Sequence, residues 1–284
     1  MTNQPTRRMA GLAAGAAALA APALLLGRSA HAEGSESTFE RIQRTKVVRV
    51  AALTGEAPYF FKDLATGAWS GASVDMVKNV AAIWDAKVEY VPSTYGNSVM
   101  DLQSGKVDIG FSLNPTPQRA LSIGFTRPMI THPFGAICRK GFEPKSWDDL
   151  NKPEVRIVTD LGSTNEVAAR RFAPNAKITS LQNRDDAILA LQSGRADADV
   201  VAAMLGITAL AKNPALGKFI IPTGPVVSLP SSIGVRREPD TRFREVLDAW
   251  LLMNTGIGQI REWMINGILH SGAHREDIPP ELTF

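Results

Sequence analysis

Leu102-Gln103-Ser104-Gly105-Lys106-Val107-Asp108 is echoed 89 positions later by Leu191-Gln192-Ser193-Gly194-Arg195-Ala196-Asp197. Each copy closes an apolar-periodic run, with Val99 and Leu102 in the first and Ile188 and Leu191 in the second, the pattern of a helix end. Each then meets a Ser-Gly pair, where glycine can take the left-handed conformation that closes a helix. A β-prone run follows, Val107 to Phe111 or Ala196 to Val201. Helix, glycine stop and strand make one α/β unit, and its repetition predicts two similar lobes. The alternative is a chance match between two stock helix-to-strand connections.

The flanking sequence counts against chance. Val47 to Leu53 reads as a strand after an amphipathic lead-in, Ala72 to Trp84 as a helix with Val74, Val77, Val80, Ala81 and Trp84 on one face, and Lys87 to Pro92 as a strand. Gly141-Phe142-Glu143-Pro144 interrupts the alternation, and a second series opens with a strand at Val155 to Thr159. It continues through helices Asn165 to Phe172 and Arg184 to Leu191, the second echo and a strand at Phe219 to Pro222. A strand at Ile233 to Val235 and helices Thr241 to Met253 and Ile257 to Ile268 finish the chain, and the tail from His270 to Phe284 reads as a surface strap. Strand-helix-strand alternation of this kind is the signature of an α/β protein with mostly parallel sheets.

Residues 1–32 read as an export signal. Arg7-Arg8 precedes a run of Ala, Gly and Leu from Ala10 to Leu26, and Ala30-His31-Ala32 is a small-residue cleavage site before Glu33. The paired arginines suggest the twin-arginine type, with an ordinary secretory signal as the alternative. The apolar run is too short and too rich in Ala and Gly for a spanning helix, which needs about 20 strongly apolar residues. The single cysteine, Cys138, lies far from the cleavage site and has no partner, so neither a lipid anchor nor an internal disulfide is expected. The formal charge of +3 comes from 31 basic and 28 acidic residues, and Arg7, Arg8 and Arg28 all fall in the signal. The remaining chain is neutral, which argues against nucleic-acid binding. The reading is of a soluble, monomeric periplasmic protein.

The motifs then resemble a known family, the extracytoplasmic solute-binding proteins of polar amino-acid ABC importers, often called family 3. The resemblance runs from about Val47 to Met264. It rests on Gly71 through Met76, the two echoes, Thr116-Pro117-Gln118-Arg119, Gly124-Phe125-Thr126-Arg127-Pro128 and Gly162-Ser163-Thr164, in this order and spacing. It implies the two-lobed periplasmic binding protein fold, each lobe a mostly parallel sheet flanked by helices, joined by two crossover strands. Lobe 1 is expected over residues 33–133 and 230–284, and lobe 2 over 134–229, with hinges near Thr131 to Phe134 and Ser228 to Ser231. It also implies capture of a small carboxylate-bearing solute, an amino acid or a derivative, for an ABC permease. The sequence holds no metal-ligand spacing or phosphate loop, so neither cofactor nor metal is expected.

In this family an arginine after the Thr-Pro element grips the ligand carboxylate, and Arg119 fills that place; a guanidinium fork holds a carboxylate through two charge-assisted bonds that lysine cannot reproduce. Ser112 and Asn114 match pocket-lining positions, although Asn114-Pro115 is also a natural turn start. Gly162-Ser163-Thr164-Asn165-Glu166 lies where a strand gives way to a helix, whose exposed amides attract anions. Thr164 is expected to face the cleft, while Ser163 with Glu166 also fits a capping box. Tyr95 matches a cleft-lining aromatic position. Glu56 to Phe61 forms the loop after the first strand, with Tyr59 a further cleft candidate and at least one of Phe60 and Phe61 expected in the core.

Ala202 departs from the pattern. Amino-acid binders of this family carry there an aspartate that pairs with the ligand ammonium. Either the ligand lacks that group, or an acid such as Glu56 supplies the charge, because a buried unpaired ammonium is too costly. A few relatives are cyclohexadienyl or arogenate dehydratases, so an enzyme on the same fold is the alternative, together with a stand-alone sensor. With Ala202 in place of an acid, and His132, His270 and His274 apart from any triad, the sequence predicts no catalysis.

Overall fold

Gly105 and Gly194 both take the left-handed conformation, with φ of 72° and 69°, so each copy of the echo stops a helix and starts a strand. The computed structural model describes residues 36–280, 282 and 283; the export signal expected over residues 1–32 lies outside the described residues. In chain order the elements begin with α1 (Thr38–Thr45), β1 (Val47–Leu53), a small hairpin of β2 (Phe61–Lys62) and β3 (Trp69–Ser70), α2 (Ala72–Ala82) and β4 (Lys87–Ser93). Next come α3 (Tyr95–Gln103), β5 (Gly110–Leu113), α4 (Pro117–Ser122), β6 (Ile123–Cys138), α5 (Trp147–Leu150), β7 (Arg156–Asp160) and α6 (Thr164–Phe172). The rest are β8 (Lys177–Leu181), α7 (Arg184–Gln192), β9 (Ala198–Ala202), α8 (Ala203–Lys212), β10 (Lys218–Ile220), β11 (Ser228–Arg236), α9 (Arg242–Gly256) and α10 (Gln259–His270).

Two parallel groups mirror each other. β1 pairs with β4 in parallel and reaches the entry of β5 through a Val50–Ile109 bridge. β7 pairs in parallel with both β8 and β9. Between them run the antiparallel strands β6 and β11, in the order β5-β11-β6-β9-β7-β8, with β10 also on β6. The first part of β6 pairs with β11 and its last five residues, Phe134 to Cys138, pair with β9. One continuous strand therefore passes from one half of the fold to the other. The segments expected as hinges lie side by side, with His132 opposite Leu229 and Ser228 opposite Pro133. A proline inside a strand forfeits a donor, which is why Pro128 and Pro133 conceal β6 in the sequence. The register shift between Ser231 and Ser232 accommodates the first of them.

The aspartates that close the echoes have equivalent jobs. Asp108 accepts from the backbone N–H of Arg49 in β1 and pairs with the side chains of Arg41 and Arg49. Asp197 accepts from the backbone N–H of Arg156 in β7 and pairs with Arg139 and Arg156. Each locks the strand that follows its helix to a parallel neighbour. Asp108→Ala and Asp197→Ala are each expected to cost about 2 kcal/mol in urea denaturation, the worth of a buried hydrogen bond to a charged group. A loss below a few tenths in either would remove it from this role.

α8 is the helix the sequence hides. Its residues Ala203 to Thr208 are buried, its N-cap Ala202 makes no side-chain cap bond, and a Cβ on Gly206 would sit 2.4 Å from Phe219. With neither a polar face nor a capping residue, it carries no amphipathic signal. The tail returns to the crossover, where Thr131 and Thr283 exchange backbone hydrogen bonds of 2.9 Å. Among the described residues no helix is long and apolar enough to cross a membrane.

Candidate functional site

The two parallel groups meet over a cleft that their own chain ends shape. α3, α6 and α7 each start directly behind a strand of their group, with Thr94, Ser163 and Asn183 as N-caps. These helix starts, together with the loop after β1, form the walls. Gly96 and Gly162 touch across it; Gly162 has φ of 72° and its Cβ would lie 3.1 Å from the Gly96 Cα. Only a residue without a side chain fits that approach.

Arg119 lies at the base, 9% exposed. Thr116 caps its short helix α4, and the guanidinium donates from Nη1 to the Asn114 carbonyl and from Nη2, across the cleft, to the Gly162 carbonyl, both at 3.0 Å. Among the described residues it pairs with no carboxylate. Burial works against its charge and lowers its pKa from the ordinary value. Asn114 spans the same gap, accepting from Thr164 Oγ1 at 2.5 Å and donating to the Pro230 carbonyl at 2.7 Å. Arg119, Asn114, Ser112, Thr164, Tyr59 and Tyr95 share one inner cavity. Ser112 holds φ of 61°, a left-handed value uncommon outside glycine. Its Oγ and the Tyr59 hydroxyl are buried without hydrogen-bond partners among the described residues.

Ser163 also lines this cavity, but its hydroxyl donates to the Asp160 carbonyl and accepts from the Glu166 N–H. The expected capping box is only half formed, because the Glu166 carboxylate accepts from Gly162 N–H instead of reaching the cap residue. Phe60 is buried at 1% exposure, and Phe61 meets His270 edge-on outside the cleft.

Glu56 lies in an adjoining outer chamber of about 520 Å³. Its Oε2 accepts from the Tyr95 hydroxyl at 3.1 Å, and Oε1 is 3.8 Å from Arg184 Nε. Arg184, 3% exposed, also pairs with Asp160 and with Asp199. One guanidinium thus faces three buried carboxylates. Burial, reinforced by Asp160 and Asp199 and opposed by Arg184, pushes the Glu56 carboxyl up to about 8, and burial raises Asp199 likewise. His132, whose ring nitrogens have no partners among the described residues, lines the inner cavity, and burial lowers it to about 4.

These shifts have opposite signs. A raised carboxyl keeps a proton in the folded state that the unfolded chain has lost, so its stabilisation vanishes as pH rises toward 8. The depressed His132 works the other way, between about 4 and its ordinary 6.5. Above pH 6.5 the His132 contribution fades and that of the raised carboxyls remains. Stability is expected to fall from pH 6.5 to 8 in urea denaturation, and Glu56→Gln is expected to remove most of that fall. A flat wild-type profile over this window would show Glu56 ionised throughout.

Asp160, Arg184, Asp199, Asn165 and His132 were not among the residues expected at the site. Asn165 positions the second wall, donating to Asp160 Oδ2 and accepting from the backbone N–H of Ala202, both at 3.1 Å. Nothing in the spacing of these residues marks them, since they lie on five separate segments.

A cleft between two strand groups, holding a buried guanidinium that pairs with no carboxylate among the described residues, fits a two-lobed small-molecule binding protein. The chain belongs to the bacterial extracellular solute-binding proteins, family 3, whose model matches residues 48–213. It is 28% identical over 252 residues to a cyclohexadienyl dehydratase of Pseudomonas aeruginosa, covering 87% of this chain and 91% of that protein. It is 24% identical to the ABC transporter glutamine-binding protein GlnH of Bacillus subtilis, over 58% of this chain and 62% of that protein. Among solved structures, the ancestral amino acid-binding protein AncCDT-1, a precursor of cyclohexadienyl dehydratase, superimposes with a TM-score of 0.74 at 29% identity, over 82% of this chain and all of the other. The arginine-bound AbpA of Streptococcus pneumoniae shares the fold, with a TM-score of 0.76 at 20% identity over 83% of this chain and all of AbpA.

The prediction that the chain is not an enzyme is corrected by this comparison, since an enzyme matches it over nearly its full length. That prediction looked for a proton donor at position 202. The cleft instead receives a raised carboxyl from the other side, at Glu56.

Proposed function

We propose that the chain captures a small carboxylate-bearing solute, an amino acid, an amino-acid derivative or a related acid, and delivers it as the periplasmic component of an ABC importer. The observation that carries this reading is Arg119. A buried cation without a counter-ion is costly unless an anion arrives to pair with it, and Arg119 lines the inner cavity together with Tyr59, Ser112, Asn114 and Thr164. Residues 33–133 with 230–284 would form one lobe and 134–229 the other, rotating about Thr131 to Phe134 and Ser228 to Ser231. A solute touching both walls favours the closed state by its differential affinity for it. The monomer and the permease partner belong to the same reading.

A second reading is favoured by Glu56: a dehydratase on the same cleft, similar to the Pseudomonas relative. A dehydratase breaks a C–O bond, and the departing hydroxide needs a proton. A carboxyl raised to about 8 beside the Tyr95 hydroxyl is protonated at neutral pH and can donate one.

One experiment addresses both. The protein without residues 1–32 is screened by thermal shift against amino acids, their deaminated analogues, dicarboxylates and hydroxylated cyclohexadienyl acids, with aromatic product followed by ultraviolet absorbance. A ligand that binds only the folded state raises Tm. Stabilisation by carboxylates without product supports the importer reading; aromatic product that Glu56→Gln abolishes supports the dehydratase. If no carboxylate shifts Tm, both readings fail.

A further inference from the structure

The cleft is divided by charge. Among the described residues the inner cavity is lined by Arg119 and by no Asp or Glu. The outer chamber is lined, among the same residues, by Glu56, Asp160, Asp185 and Asp186 and by no Lys or Arg. Tyr95 lines both and marks the boundary, with its hydroxyl on Glu56.

The cation behind the outer chamber does not balance it. Arg184 engages Oδ2 of Asp160 and Oδ2 of Asp199. Asp160 Oδ1 is left without a partner among the described residues, although Asp160 is 3% exposed and lines the chamber. A buried carboxylate oxygen without a donor is an acceptor waiting for one. The inner cavity has the converse shape, because Ala202 and Leu205 put apolar surface against it. An ammonium next to a carboxylate held by Arg119 would meet the guanidinium and those two side chains and find no anion.

Resting on the carboxylate reading of Arg119, we propose that the solute is an ω-cationic carboxylate with no charged amino group beside its carboxylate. The carboxylate end is held at Arg119, and an ammonium or guanidinium at the far end is held by Asp160 and by Glu56, whose carboxyl gives up its proton as the cation arrives beside it. The two sites are close enough for one small molecule, since Arg119 donates to the carbonyl of Gly162, two residues from Asp160. The chain between the charged ends passes the Tyr95 ring, which supplies apolar contact along its length.

The test is calorimetric titration of the protein lacking residues 1–32 with 4-aminobutanoate, 5-aminopentanoate, 6-aminohexanoate and 4-guanidinobutanoate, against pentanoate, L-lysine and L-arginine. At least one ω-cationic acid is expected to bind tenfold or more tighter than pentanoate and tighter than either α-amino acid. Glu56→Gln and Asp160→Asn are each expected to weaken that acid tenfold or more relative to pentanoate; unchanged far-ultraviolet circular dichroism establishes that each variant is folded. Equal binding of pentanoate and its ω-amino analogue overturns the cation subsite and leaves the carboxylate reading standing. Tighter binding of lysine or arginine than of every ω-cationic acid overturns the exclusion of the α-ammonium, again without touching Arg119. Failure of every carboxylate to bind removes the reading of Arg119 and this inference with it.

Discussion

Arg119→Ala is expected to weaken binding of the carboxylate solute by about 100-fold or more, with little loss of stability. The fork can place two charge-assisted hydrogen bonds on a carboxylate, each worth about 1.5–3 kcal/mol. Losing both removes at least about 3 kcal/mol, and every 1.4 kcal/mol is a factor of about ten in affinity. Stability should change by no more than about 1 kcal/mol, because the substitution also removes a buried charge that burial disfavours and that pairs with no carboxylate among the described residues. Arg119→Lys keeps the charge and loses the planar fork, so its affinity should fall between the two. Calorimetric titration with a wild-type ligand decides the matter, and undiminished affinity in the alanine variant would move the carboxylate site elsewhere.

Arg184→Met should produce the largest loss of stability of any single substitution in the cleft, about 3–5 kcal/mol. Removing one partner from a buried ionic cluster leaves the others uncompensated, and here three carboxylates remain, with Asp199 fully buried. For a chain of this size Tm should fall by roughly 10 °C or more. The loss should be greater at pH 8 than at pH 5, because protonating Glu56 and Asp199 relieves the repulsion, and both carboxyls are already displaced upward. Adding Asp160→Asn and Asp199→Asn to the methionine variant should recover much of the stability. A methionine variant as stable as wild type at pH 8 would mean that the cluster carries no net negative charge.

The contrast between these two arginines marks where sequence reading works. Arg119 was legible only through the family resemblance, because Thr116-Pro117-Gln118-Arg119 stands in the order and spacing of that family's motifs. Arg184 was not. It reads as the first residue of a helix after the Asn183 cap, and its partners Glu56, Asp160 and Asp199 are 128, 24 and 15 residues away, on β-strand ends and a loop. No short-range periodicity links positions brought together by the parallel pairing of β7, β8 and β9 and, for Glu56, by the facing of the two strand groups. Ala202 was legible as a missing acid, but the prediction of no enzyme drawn from it was corrected by the match to a cyclohexadienyl dehydratase over most of the chain.

Local patterns in the chain alone determined the repeated helix, glycine and strand unit, most of the parallel strands and the Ser163 cap of α6. They are set by period, by left-handed glycine and by capping side chains, all of which act within a few residues. The tertiary structure decided the rest: the unbroken course of β6 through its two prolines, the burial of α8, and the separation of charge between an inner cavity holding Arg119 and an outer chamber holding Glu56 and Asp160. These depend on distant surfaces meeting, where burial and the balance of charge settle which groups are paired, protonated or left open to a ligand.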